Sequence, residues 1–366
     1  MKAAIVLTTI RVPELLSGYA NNLKEHDHYE VGFVVVGDNR TPNNATRQLV
    51  ERITNQCLEA EYWDVLSQKK WLKRFPGLDG IVPYNSDNRR NLGYLIAAEE
   101  GADLIISIDD DNFVGSEDYF GQHSIVGKTQ KLNTACSANG WFNPCSMLQI
   151  NPPRTIYPRG FPYSKRWKDK ITWKHDSGRI MLNLGLWKCD PDVDAVTNLN
   201  EPVTVVGIRS EQVMLAPETY SPINTQNTAF HRDVLPCFYN VLMGARIQGT
   251  VLDRYGDIWS GFFAKKIIDQ MDDRVSIGYP LTEHRRNPHD LFKDLQSELW
   301  GMILTEHLVP VLESIKLTER TYMDAYLELA RELKSVNIFP NKDVEKYFAQ
   351  LTNAMEVWVE TCEKIL

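Results

Sequence analysis

Residues 107–113 read SIDDDNF, and three adjacent carboxylates directly after an apolar run repel one another and are costly to desolvate. A hard divalent cation resolves both difficulties. Mg2+ or Mn2+ takes oxygen ligands at short range, and the same ion can bridge the oxygens of a diphosphate. Its charge removes the repulsion among Asp109, Asp110 and Asp111. In a strand-to-loop turn alternate side chains point the same way, so Asp109 and Asp111 are expected to share the ion while Asp110 faces elsewhere. Such a site usually needs a further ligand from another segment, and His284 in PLTEHRRNP is the candidate. The competing reading is a solvated acidic turn, which the buried-strand character of LIISI (104–108) disfavours.

A diphosphate needs donors beyond one ion, and the planar fork of arginine suits phosphate oxygens. Arg11, Arg89, Arg90, Arg159, Arg166 and Arg254 stand in segments that read as loops. Most single arginines are surface residues. The stretch YPRGFPYSKR (157–166), however, sets Arg159 and Arg166 among Pro, Gly and aromatics, the composition of an ordered loop. No GxGxxG, P-loop, GxSxG or HExxH pattern is present, which argues against NAD-dependent oxidoreductases, kinases and the common hydrolases. No flavin motif is visible either.

These residues must be positioned by something. AAIVLTTI (3–10), VGFVVVGD (31–38), GIVPY (80–84) and LIISI (104–108) read as buried strands, with helical spacing over 13–26, 44–72 and 91–100. Continuous apolar strands separated by helices predict an α/β class with a mostly parallel sheet covered on both faces. Ligands collect at the carboxyl ends of such strands. Thr8 to Arg11, Asp38, Asn85 to Arg90 and the aspartate triplet all fall at such ends, so Thr8, Arg11 and Asp38 join the expected ligand contacts. Residues 130–260 predict mixed strands and long loops, where sugar contacts would sit. Beyond residue 300 apolar residues recur at helical spacing (Tyr322, Tyr326, Leu329; Val344, Phe348, Leu351, Met355, Val359). The division expected is a catalytic domain over 1–300 and a helical extension over 301–366, either a packing subdomain or a surface for a homo-oligomer.

Composition bounds the rest. A chain of 366 residues, 43% hydrophobic, supports one large domain with an appendage, or two domains. A net charge of −8 argues against a nucleic acid or an anionic membrane as partner. The six cysteines are widely spaced without a CxxC pair and read as reduced thiols. No stretch approaches the roughly 20 apolar residues of a membrane span, so the expected location is the cytoplasm.

The blocks SIDDDNF, PRGFPYSKR (158–166), GLWKCDPDVDA (185–195), NTAFHRD (227–233), DRYGDIWSGFFAKKI (253–267) and EHRRNP (283–288) follow one another in the order of a known family. The sequence resembles the reversibly glycosylated polypeptides, the plant UDP-arabinopyranose mutases, which have a GT-A glycosyltransferase fold. The resemblance is weakest before residue 80 and between 115 and 155. It implies a GT-A-type sheet and a flavin-independent, metal-dependent interconversion of pyranose and furanose forms of a nucleotide sugar. By that resemblance the triplet takes the metal and nucleotide-sugar positions, with Asp109 and Asp110 also touching the nucleotide sugar. Arg159 falls on an arginine that becomes glycosylated, Arg166 on a second arginine required for activity, and Arg90 on a phosphate or base contact. His284 keeps its place in a loop one residue shorter. Asp257 matches the second acid of a pair whose first member is Gly256 here. Trp187 in the 185–195 block is an expected nucleotide-sugar contact. The end of the second strand, VVVGDNRTP, departs from the family pattern, which leaves UDP and GDP both open.

The reaction so implied breaks the anomeric C–O bond, opens the ring and recloses it through a different hydroxyl. Arg159 is a poor nucleophile on first principles, since its pKa exceeds about 12. A clamp on the diphosphate is the easier reading of the residue, and a glycosylated arginine the one the resemblance favours. Two alternatives remain: a glycosyltransferase with Asp257 as base, and a non-catalytic nucleotide-sugar-binding scaffold.

Overall fold

The structure is a computed structural model, and it describes every residue except 169, 210, 288 and 289. Residue 288, the last of the EHRRNP block, lies outside the described residues. Strands β1 (Ala3–Thr9), β2 (Val31–Gly37) and β4 (Leu104–Ile108) are buried along nearly their whole length, as their unbroken apolar sequences require. They pair in parallel in the order β2–β1–β4. The third strand of this half is β3 (Ala60–Trp63), an edge strand parallel to β2. The segment expected as a strand at 80–84 is instead the end of a short turn of helix, Leu78–Ile81, followed by loop. The long helix expected over 44–72 is two, α2 (Asn43–Thr54) and α3 (Val65–Leu72). The break falls where Asp64 caps the second through the amide of Ser67.

Beyond β4 the nine-stranded sheet continues with Asn227–His231, Ile171–Leu184, Thr129–Ser137, Gln212–Leu215 and Arg274–Gly278. Here directions mix: Asn227–His231 runs antiparallel to β4, and Arg274–Gly278 pairs with both Gln212–Leu215 and Ile171–Leu184, closing that end on itself. This is the α/β architecture expected, parallel throughout the first half of the sheet and of mixed direction in the second, where Gln212–Leu215 still runs parallel to Thr129–Ser137. A second sheet of five short strands crosses the carboxyl ends. In it Thr282–His284 lies antiparallel to Asn112–Val114, with His284 opposite Asn112. That register sets the histidine beside the last aspartate of the triplet.

Side chains alternate across β1: Ala3, Ile5 and Leu7 face the core shared with helices α1 (Leu16–Glu25) and α2, while Ala4 and Val6 face the larger core. Helix α4 (Arg90–Glu99) presses on β1 and β2 at Gly93, where a Cβ would stand 2.4 Å from Val6 Cγ1. That close approach brings Arg90, at the start of the helix, against the end of β4.

The C-terminal helices do not form a separate unit. Helix Leu291–Ser314 runs straight through the boundary expected at residue 300. The stripe of Val344, Phe348, Leu351, Met355 and Val359 on Lys342–Ile365 is buried in the larger core of the same chain. Trp358 lies 5.3 Å from Tyr239 and donates to the Leu235 carbonyl at 3.1 Å. The apolar spacing that suggested an oligomer surface is thus satisfied within the chain. No helix among the described residues is long and apolar enough to cross a membrane.

Because these helices share one core with the sheet, Leu351→Ala is expected to lower the stability of the whole chain by about 2–5 kcal/mol. Urea unfolding followed by tryptophan fluorescence should move as one transition. A separate early transition, with the main one unmoved, would mean that the helices are an independent appendage.

Candidate active site

A cavity of about 580 Å³ opens at the carboxyl ends of the strands, within the range of small-molecule sites. Its lining includes the acidic triplet, His284, Arg159, Asp192 and Asp257. The three aspartates of the triplet have three different partners. Asp109 Oδ1 accepts from Arg90 Nη2 at 2.6 Å. Arg90 is anchored in turn by Ser107 Oγ at 3.1 Å and the Thr225 carbonyl at 2.9 Å. Burial pushes the Asp109 carboxyl up to about 6 against the pull of Arg90. Burial opposes a charge on Arg90, yet Asp109 holds its pKa well above the ordinary value. Asp110 turns to the end of β1, where Thr9 Oγ1 donates to it at 2.6 Å. Asp111 faces His284, Oδ2 to Nε2 3.5 Å, and accepts from Asn287 Nδ2 at 3.2 Å.

A divalent ion fits here on the chemistry of the donors. His284 Nδ1 lies 2.7 Å from the Asp190 carbonyl. Assigning the proton to Nδ1 leaves Nε2 toward Asp111 as an acceptor, the tautomer a metal-bound histidine adopts. Burial works against protonation of this ring, but the adjoining Asp111 raises its pKa above the usual histidine value. A cation beside Asp111 would take over the role of that proton. Among the described residues no three His, Cys, Asp or Glu side chains close into a ready metal cage. An ion would therefore complete its shell with substrate phosphate oxygens and water, the common arrangement for Mg2+. The pairing of Asp109 with Arg90 differs from the simple alternation expected, in which Asp109 and Asp111 share the ion.

Arg159 is 8% exposed and bound through every donor it has. Nε and Nη2 form a fork onto Asp192 at 3.0 and 3.1 Å. Nη1 and Nη2 form a second onto Asp257 at 3.2 and 3.3 Å, and Nη1 also donates to the Arg254 carbonyl. Desolvation opposes its charge, but the two carboxylates keep its pKa well above the ordinary value. Burial is the largest influence on the Asp192 carboxyl and pushes it up, but Arg159, Asn224 and Arg254 together hold it below the usual range. The loop reaches this position through Gly160, at φ 84°, where a Cβ would meet Ile258 Cγ2 at 2.3 Å. That contact seats the loop on helix Gly256–Gln270, whose first turn carries Asp257.

At the other end of the cavity Asp38 accepts from the amides of Asn39 and Asn85 at 2.7 and 2.6 Å, pinning the 84–87 loop to β2. Thr8 lines the cavity and donates to the Val36 carbonyl. Arg11 is exposed outside the cavity wall and reaches the triplet indirectly, its side chain donating to Asn287 beside Asp111 and its amide to Thr9 Oγ1, which donates to Asp110.

Besides Arg11, two expected site residues are not in the cavity. Trp187 is 1% exposed within the larger core, since its strand Trp187–Cys189 turns this side chain inward. Arg166 lies behind the site, donating to Asp194 at 2.6 Å and stacked 3.7 Å over Tyr163. It is a positioning residue for the loop that carries Arg159. Arg89 is also structural, bound to Gln68 and the Val82 carbonyl. The residues that sequence reasoning passed over are the acids of DPDVD. Asp190 orients His284 through its carbonyl, Asp192 grips Arg159, and Asp194 grips Arg166 while capping helix Ala195–Asn200. Three acids at alternate positions beside a loop with two arginines were the available signal. Glu298 was invisible: fully buried on a helix, it receives Arg254 Nε at 2.8 Å and the Ala195 amide at 2.7 Å.

The fold and cavity define an α/β protein with a polar, carboxylate-rich ligand site at the strand ends. The sequence profile described as reversibly glycosylated polypeptide matches residues 64–366, and the chain belongs to that family. It is 30% identical over 292 residues to UDP-arabinopyranose mutase 1 of Arabidopsis thaliana, covering 78% of this chain and 74% of the relative. Probable UDP-arabinopyranose mutase 4 of the same plant is 28% identical over 290 residues, covering 78% and 73%. Among solved structures, a mannosyltransferase from Pyrobaculum calidifontis in complex with GDP-Man and Mn2+ aligns with 100% of this chain and 73% of its own. At 10% identity and a TM-score of 0.38 the likeness is too slight to argue from.

Asp192→Ala would leave the buried Arg159 without one of its two carboxylates. Loss of about 3–5 kcal/mol of stability is expected in urea unfolding, as for a broken buried ion pair. A change near zero would show that Asp192 does not hold Arg159.

Proposed function

We propose that this chain interconverts the pyranose and furanose forms of a nucleoside-diphosphate sugar, with arabinose on UDP as the first substrate to test. Family membership supports the reaction class, and the names of the relatives support the sugar and base. The observation that carries the reading is Arg159, fixed between two carboxylates in the lining of the cavity that also holds the acidic triplet. With all five N–H groups taken, Arg159 has no donor left for a diphosphate clamp, which favours a direct role at the anomeric carbon.

A divalent ion held by Asp111 and His284, with Asp109 at its flank, would supply Lewis acidity to the departing diphosphate. Arg90, oriented by Ser107 and Asp109, adds positive charge on the same side. The anomeric C–O bond breaks with its electron pair leaving on the diphosphate. A nitrogen of Arg159 bonds the anomeric carbon as its proton passes to Asp257 or Asp192. The flanking carboxylates make a free neutral guanidine scarce, so that proton must leave as the C–N bond forms. Nitrogen lone-pair donation then opens the sugar ring, the ring oxygen taking the carboxyl's proton, and a different hydroxyl recloses it on the anomeric carbon as its own proton passes back to the carboxylate. Attack by the diphosphate releases the isomer and returns the proton to Arg159.

The glycosyltransferase reading requires Asp257 as a base for an acceptor. Here both its oxygens face Arg159, and one also accepts from the Ile258 amide at 2.9 Å. A scaffold would have no use for a doubly clamped arginine in the cavity wall.

Purified protein with UDP-arabinofuranose and Mn2+ is expected to yield UDP-arabinopyranose without an acceptor, as read by chromatography of the nucleotide sugars. Activity should vanish with EDTA, with Asp111→Ala and with Arg159→Ala. Turnover that survives EDTA removes the metal role; turnover in Arg159→Ala removes the covalent one. A thermal-shift comparison of UDP- and GDP-sugars reads the base directly, because a ligand that binds the native state raises its stability.

A further inference from the structure

Strand Ile171–Leu184 has a free edge. Residues 171–179 pair antiparallel with Thr129–Ser137 on one side, and on the other side the first partner, Arg274–Gly278, joins only at Ile180. Gly178 marks the change, since a Cβ there would meet Arg274 Cγ at 2.4 Å. Residues 172–177 are exposed, including Trp173 at 49%. The amide of Ala138 donates to the Lys170 carbonyl at 3.0 Å and that of Ile180 to the Lys128 carbonyl at 3.0 Å. In this register the even-numbered residues bond inward, and Trp173, His175 and Ser177 direct their N–H and C=O groups outward. Among the described residues no strand covers them. The Ser177 amide is met only by the neighbouring Asp176 side chain, at 2.8 Å.

We infer that this edge pairs with the same edge of a second copy, antiparallel and centred on His175. An exposed edge is a template for another chain, and charged side chains limit which chains it accepts. The charges here select one register. Outward-bonding residues must oppose one another, so shifts come in steps of two. With His175 opposite His175 of the second copy, Lys174 lies opposite Asp176 and Asp176 opposite Lys174, two opposite-charge pairs on one face of the ribbon. A shift of two residues one way sets Lys174 against Lys174, and the other way Asp176 against Asp176. The centred register also places Trp173 across from Ser177 and diagonal to His175, within reach of an aromatic ring. The Asp176 carboxylate exchanges its own Ser177 amide for the lysine. A ribbon this short buries less than a permanent dimer needs, so the association is weak and reversible. It leaves the cavity open, as none of these residues lines it.

Sedimentation equilibrium of the full chain over a range of concentrations tests the pairing. The expected result is a reversible dimer, weakened roughly tenfold by Lys174→Asp or Asp176→Lys alone and restored when both are combined. Thermal unfolding of the same variants separates lost pairing from a lost fold. Independently, His175→Cys should form a reducible dimer that the parent chain does not. Cα atoms across a hydrogen-bonded antiparallel pair stand about 5.5 Å apart, within disulfide reach. A chain that is monomeric throughout, a dimer indifferent to either charge reversal, or one that the combined swap fails to restore would overturn the inference.

Discussion

The Arg159 guanidinium, 8% exposed and shared between Asp192 and Asp257, is the constraint around which the rest of the site is arranged. A buried arginine is tolerable only when its donors are satisfied, and here the five acceptors come from three separate segments. The 190–194 loop gives Asp192, the turn before helix Gly256–Gln270 gives the Arg254 carbonyl, and the helix itself gives Asp257. Arg254 holds a left-handed backbone at φ 63° and is tied to Glu298 on helix Leu291–Ser314. Helix Leu291–Ser314 therefore reaches the cavity through Arg254, and also through the Asp253 amide on the Ser297 carbonyl and Arg286 beside Asp294. The packing of the C-terminal helices into the main core makes them part of the site's support.

A second consequence is electrostatic. The chain places Asp109, Asp111, Asp192 and Asp257 around one cavity, which would be untenable as a field of like charges. Asp109 is matched by Arg90 and Asp192 by Arg159, with Asp257 completing the second group. Asp111 lies 3.5 Å from His284 and accepts from the side-chain amides of Asn112 and Asn287.

Much of this was legible in the sequence, for identifiable reasons. The parallel half of the sheet followed from unbroken apolar runs, and the triplet, Thr8 and Asp38, expected at strand ends, do line one cavity there. The Arg159 loop was legible because Pro, Gly and aromatics around a cation are uncommon on a solvated surface. What failed was direction. Trp187 and Arg166 lie in the right segments, but one turns into the core and the other toward Asp194, and no spacing rule reports which way a loop side chain points. The third strand was misplaced because β3 is a short, partly exposed edge with little apolar signal. The C-terminal helices read as an appendage because helical periodicity shows that a face is buried, not what it is buried against. Glu298 gave no signal at all, being one of four acids along helix Leu291–Ser314 with no spacing to set it apart.

The central claim is that Arg159 itself carries the sugar between the two ring forms. Intact-protein and peptide mass spectrometry after a brief incubation with the nucleotide sugar and Mn2+, quenched in acid, reads it most directly. One added sugar residue on the peptide that contains Arg159, absent in Arg159→Lys and lost again when excess nucleoside diphosphate is added, is the result predicted. Continued isomerisation by the unmodified chain with no adduct on that peptide at any time, or an adduct on another residue, would contradict it.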